Sequence, residues 1–88
     1  MRATPIDIVV PVYNAAADLA RCVDSLLEHS TGDWRLLLID DASPDPAIRA
    51  YFSGLRARRL LRVTLLANEK NIGFTLTANR GFAEARRD

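Results

Sequence analysis

Between Ile6 and Leu66, three short aliphatic runs alternate with stretches whose apolar residues recur every three or four positions. The first run, Ile6 to Val12, is β-branched with almost no alternation, the pattern of a strand covered on both faces. Asn14 is placed to cap a helix whose Leu19, Cys22, Val23, Leu26 and Leu27 share one face. Ser30-Thr31-Gly32-Asp33 ends that helix, with Gly32 as the stop. The second run, Trp34 to Asp40, is again largely apolar on both faces. Ser43 and Pro44 then read as N-cap and first helical residue, and Asp45 suits the positive helix end. Ile48, Tyr51, Phe52 and Leu55 supply the buried face of this second helix, and Gly54 lies near its end. In the third run, about Leu61 to Leu66, Leu61, Val63 and Leu65 alternate with Arg62 and Thr64. One face is therefore more polar, as on an edge strand. The loop Ala67 to Gly73 leads into a third helix with Phe74, Ala78, Phe82 and Ala85 expected inward.

A strand followed by a helix, three times over, implies parallel pairing through right-handed crossovers. The expected fold is α/β: a three-layer, Rossmann-like open parallel sheet of three strand-helix units, forming one domain over residues 1–88. The loops that leave the strands then open on one sheet edge, where open α/β sheets bind ligands. Tyr13-Asn14, Asp40-Asp41 and Asn71-Gly73 gather there. Tyr13 either closes the core or offers its ring face for a base to stack on. Asp40 and Asp41 either cap the next helix or recognise a ligand, and Ser43 already fills the capping role. Asp41, past the strand end, is the better ligand candidate, because an ionised carboxylate accepts hydrogen bonds from an imide N–H or from ribose hydroxyls. Asp40 is better placed to hold backbone amides in the turn. Asn71 and Gly73 read on their own as a turn, with glycine supplying a positive φ.

Composition narrows the function classes. The chain has 88 residues, 49% hydrophobic and 26% charged, as in an ordinary folded domain. A net charge of +1 gives no field that would gather nucleic acid, and the cluster Arg56, Arg58, Arg59 and Arg62 has no interleaved aromatics. It reads as a solvated surface. Cys22 is the single cysteine, which excludes an internal disulfide framework and a cysteine zinc site. It reads as a small core residue, and His29 as a structural residue near a helix end. No apolar leader precedes Ile6, and the run Leu36 to Ile39 is far too short to span a bilayer, so a cytoplasmic location without a transmembrane segment is expected. The first turn, Tyr13-Asn14-Ala15-Ala16-Ala17, has no glycine, which argues against a dinucleotide dehydrogenase.

The runs Val9-Val10-Pro11-Val12-Tyr13-Asn14 and Leu38-Ile39-Asp40-Asp41-Ala42-Ser43-Pro44-Asp45 resemble the family 2 glycosyltransferases. So do Ser25-Leu26-Leu27, Asn68-Glu69-Lys70-Asn71-Ile72-Gly73-Phe74 and Ala78-Asn79-Arg80-Gly81, in the same order and spacing. The resemblance covers essentially the whole chain. It implies the N-terminal, donor-binding half of a GT-A fold, with a nucleotide-sugar donor (a UDP- or dTDP-sugar) and sugar transfer to an acceptor hydroxyl. It further implies that Tyr13 and Asp41 hold the base, that Pro11 and Asn14 shape its pocket, and that Asn71, Gly73 and Asn79 line the donor site. Asp40 is counted with this binding set. The Phe74 form of the third motif is most similar to rhamnosyltransferase-type members, which points to cell-surface polysaccharide synthesis.

The family also carries a metal-binding Asp-x-Asp, a catalytic base and an acceptor-binding half, and none of these is found here. The divalent magnesium or manganese of the full enzyme is therefore not expected on this chain, nor is turnover. The chain is expected to be a truncated nucleotide-binding half, with no catalytic residue of its own to name. Its first strand would then be left as an open edge, and a homo-oligomer is expected. The alternative of a different class is a non-catalytic Rossmann-like module that pairs with a partner chain through its sheet edge.

Overall fold

In the computed structural model, the described residues are 6–29 and 32–85. Ser30 and Thr31, part of the expected helix stop, lie outside them. The element order is β1 (Ile6–Val12), α1 (Ala16–His29), β2 (Trp34–Asp40), α2 (Pro46–Arg58), β3 (Val63–Ala67) and α3 (Phe74–Ala85). The strands form one parallel sheet in the order β1-β2-β3, with Ile6 opposite Trp34 and Leu36 opposite Val63. The fold is the expected α/β open sheet, with β3 at one edge and β1 at the other.

β2 is central because it is apolar on both faces, and the pleat sends alternate residues to opposite layers. Leu36 and Leu38, with Trp34, join Leu19 and Val23 of α1 and Ile48, Phe52 and Leu55 of α2 in the main core. On the other face, Val9 of β1 and Ile39 of β2 meet α3 at Gly81. A Cβ built on Gly81 would lie 2.4 Å from Val9 Cγ1 and 2.8 Å from Ile39 Cδ1. Only glycine lets the helix come this close. At the start of the strands, Arg35 grips Asp7 through two hydrogen bonds of 2.8 and 3.1 Å and ties β2 to β1.

The structure corrects several local expectations. The third helix does not turn Phe74 and Phe82 inward: they are 73% and 52% exposed, while Thr77 and Gly81 are buried. A helix docked through a glycine leaves no room beneath it for aromatics. Cys22 is exposed rather than in the core. Asn14 does not cap α1. It takes a φ of 57°, Ala15 follows at 60°, and the Ala15 carbonyl accepts the first helical bond, from the Leu19 N–H. The N-cap of α2 is Asp45, whose carboxylate accepts the Ala47 N–H at 2.9 Å, and Pro46 is the first helical residue. Gly54 lies near the end of α2, as expected, and the helix closes at Arg59 in the left-handed region, φ 52°. Leu61 sits in the turn before β3 and is fully exposed.

Candidate functional site

The three loops at the carboxyl ends of the strands are stitched together by polar groups that the sequence places just past each strand. The parallel ladder continues one step beyond the strands: the Asp41 N–H donates to the Val12 carbonyl and the Asn68 N–H to the Asp40 carbonyl, both at 2.8 Å. The first two loops are then cross-tied. The Asn14 N–H donates to Ser43 Oγ at 2.9 Å, and the Asp45 N–H donates to Asn14 Oδ1 at 3.2 Å. Two consecutive non-glycine residues at positive φ are costly, by about 1 kcal/mol or more each. These bonds hold the first of them in place. Asp40, nearly buried, accepts the Ser43 N–H on Oδ1 at 2.9 Å, a bond of the kind the sequence suggested for it.

Asp41 organises the third loop. Its side chain is 3% exposed and accepts four hydrogen bonds. Oδ1 takes Asn68 Nδ2 and the Ile72 N–H, each at 2.9 Å. Oδ2 takes Asn71 Nδ2 at 2.8 Å and the Gly73 N–H at 2.9 Å. Gly73 stands at φ +91°, the positive angle expected of it, which lets successive amides turn toward the carboxylate. Burial alone would push the Asp41 carboxyl up. The Ile72 N–H, the Asn68 amide, the Gly73 N–H and the Thr77 hydroxyl outweigh burial and hold it below the usual carboxylate range.

Above this floor lies an open cleft of about 360 Å³ lined by Pro11, Val12, Tyr13, Asp41, Asn71, Gly73 and Phe74. Tyr13 is 53% exposed, so one ring face is free to receive a planar ligand. Asn14 borders an adjoining depression with Pro11 and Tyr13. Of the residues singled out in the sequence, Asn79 is the outlier: it is on the exposed side of α3 and does not line the cleft. Asp40 supports the wall from below without reaching it.

Ser43, Asn68, Thr77 and Arg80 also belong to the arrangement, and sequence reasoning gave them no role in the site. Asn68 directly follows β3, as Asp41 follows β2, and that shared position was the signal available for it. Thr77 was hidden because a buried hydroxyl on a helix resembles a solvent-facing residue until its partner is known.

No three His, Cys, Asp or Glu side chains cluster as metal ligands among the described residues. The carboxylates of Asp40 and Asp41 are engaged by amides, so these residues do not fit the diphosphate-bound cation of the family. Among the described residues, no helix is long and apolar enough to cross a membrane.

The profile of Glycosyl transferase family 2 matches residues 7–88. With the parallel sheet and the loop cluster at its carboxyl edge, this places the chain in glycosyltransferase family 2. The chain is 30% identical over 81 residues to the uncharacterized glycosyltransferase EpsJ of Bacillus subtilis (strain 168), covering 92% of this chain and 23% of that protein. It is 34% identical over 84 residues to the O-antigen biosynthesis protein RfbC of Myxococcus xanthus, covering 94% of this chain and 6% of that protein. Over 48 residues it is 38% identical to a PGL/p-HBAD biosynthesis glycosyltransferase of Mycobacterium bovis (strain BCG / Pasteur 1173P2), covering 54% and 19%. The chain spans less than a quarter of the length of each of these relatives.

Proposed function

We propose that this chain is the donor-binding portion of a glycosyltransferase that passes a sugar from a UDP- or dTDP-sugar to an acceptor hydroxyl, in the cytoplasm. The observation that carries the proposal is the cleft at the carboxyl edge of the sheet. There the half-exposed Tyr13 ring and the polar groups of Asp41, Asn71 and Gly73 line one cleft. The flat ring suits a pyrimidine, and the polar groups of the 71–73 turn, held in place by the Asp41 carboxylate, suit its polar edge and the ribose. A relative named for O-antigen biosynthesis supports cell-surface polysaccharide as the product class, as does the rhamnosyltransferase-like Phe74 motif. The divalent ion, on this reading, is held by carboxylates outside the described residues. The 88-residue chain binds nucleotide without transferring sugar.

Calorimetric titration with UDP, ADP and GDP, with and without manganese, tests this reading. UDP is expected to bind more tightly than the purine nucleotides, and Tyr13→Ala to weaken it roughly ten-fold, as loss of one base-aromatic stack does. Equal binding of all three nucleotides, or none, would leave only a scaffold that pairs through its sheet edge. Release of UDP from a UDP-sugar well above background would contradict the absence of turnover.

The open edge supports self-association of the 88-residue chain. Among the described residues, β1 has a strand partner on one side only, and Ile6 at its start is 66% exposed. Phe74, Leu76 and Phe82 are exposed on α3, the helix that packs on β1. Unpaired amides beside apolar side chains invite strand addition by a second copy. Sedimentation equilibrium at micromolar concentration is expected to show a dimer or larger assembly, and a monodisperse monomer would refute it.

A further inference from the structure

Asn68 uses its backbone N–H and both ends of its side-chain amide. Its N–H donates to the Asp40 carbonyl at 2.8 Å. Its side-chain amide nitrogen donates to Asp41 Oδ1 and to Thr77 Oγ1, each at 2.9 Å. Its side-chain oxygen accepts from Arg80 Nη1 at 2.5 Å, and the same guanidinium nitrogen donates to the Ala67 carbonyl at 2.9 Å. One side chain therefore joins the loop after β2, the loop after β3 and two successive turns of α3. Its orientation is decided by charge. A flipped amide would set its oxygen against the Asp41 carboxylate and its NH₂ against the Arg80 guanidinium, and both contacts would be repulsive.

From this we infer that Asn68, oriented by Arg80, is a positioning residue for the donor cleft. It fixes the rotation of the Asp41 carboxylate, and through it the 71–73 turn that forms the cleft floor. The inference rests on the donor-binding reading for its consequence, but not for its geometry. Asp41 carries four donors on two oxygens, so the direction of each lone pair matters. With Asn68 in place, the Ile72 and Gly73 amides and the Asn71 side chain must take the remaining positions. Without it, Oδ1 keeps only the Ile72 N–H, the carboxylate is held less firmly, and the floor of the cleft loses part of its fixed shape. Arg80 acts at one remove from the cleft, on the opposite side of Asn68. The charged groups around Asn68 are Arg80 on α3, Glu69 and Lys70 in the loop, Asp40 at the end of β2 and Asp41 just beyond it.

The test uses two readouts on wild type, Asn68→Ala, Asn68→Asp, Arg80→Ala and Arg80→Lys. The first needs no ligand: NMR titration of the Asp41 carboxyl carbon, with the Ile72 and Gly73 amide resonances followed alongside. Asn68→Ala is expected to move the Asp41 midpoint upward and to shift both amides. Arg80→Ala should do so in smaller measure, with partial return in Arg80→Lys. The second is UDP affinity, expected to fall about ten-fold or more in Asn68→Ala, as for loss of a hydrogen bond to a charged group. Asn68→Asp keeps the shape but puts an acceptor against Asp41, and should weaken binding at least as much at neutral pH. An unchanged Asp41 midpoint and unmoved amides in Asn68→Ala would overturn the inference, whatever the nucleotide data. If instead the midpoint moves while wild type binds no UDP, the donor reading fails and the positioning geometry stands.

Discussion

Asp41→Ala is expected to cost about 2–4 kcal/mol of stability, as well as nucleotide affinity. The carboxylate is the shared acceptor for two backbone amides and two side-chain amides. Its removal leaves partly buried donors to find water or stay unpaired, at about 1–3 kcal/mol for each one stranded. In a domain of this size, such a loss should lower Tm by about 10–20 °C. UDP affinity should also fall roughly ten-fold or more, while Asp40→Ala should weaken it less. A thermal melt of Asp41→Ala within a degree or two of wild type would show that the loop does not depend on this carboxylate. The same geometry sets an acid limit. The folded-state value lies below the ordinary 3.8, so the stabilisation is complete above that ordinary value and disappears as pH falls through the folded one. Urea unfolding of wild type should therefore weaken on acidification below about pH 4, and Asp41→Asn should show a flatter profile.

Gly81→Ala is expected to destabilise by about 1–2 kcal/mol, and Gly81→Val by more. Alanine favours a helix over glycine by up to about 1 kcal/mol, so propensity alone predicts the opposite sign. The clash decides the outcome. A methyl group would arrive 2.4 Å from Val9 Cγ1 and 2.8 Å from Ile39 Cδ1, and overpacking of a close-packed core typically costs about 1–3 kcal/mol. Ile39 is wholly buried in the central strand and has little room to yield. A urea midpoint higher in Gly81→Ala than in wild type would show that α3 moves off the sheet without strain.

The contrast between β2 and α3 shows what the chain discloses about itself. A central strand buries both faces, so Trp34 to Asp40 carries its role in its composition. The parallel order and the meeting of the three loops then follow from chirality and connectivity. Helix α3 departs from its expected packing because its contact face is made of Thr77 and Gly81, residues without apolar weight. Its large apolar residues, Phe74, Leu76 and Phe82, point to solvent. Periodicity reports where apolar side chains are, not how close two backbones come. Similarly, Asn14 and Ser43 both carry the chemistry of helix caps, and the structure uses them on each other's loops instead. Competition between equally suitable local and distant partners is not encoded at short range. The importance of Asp41 was legible from its place past β2. That its partners are the chain's own amides was not, because those amides arrive from residues 68–73, about thirty positions later.

Mapping UDP binding on the backbone amides by NMR shows whether the cleft at the carboxyl edge of the sheet holds the nucleotide of a sugar donor. Shifts are expected to concentrate at Val12, Tyr13, Asp41, Asn71 and Gly73, with little change at Asp7, Arg35 and the arginines around Leu61 at the opposite end of the strands. Shifts clustered on that arginine end, with the amides of Tyr13, Asp41 and Gly73 unmoved at saturating UDP, would contradict it.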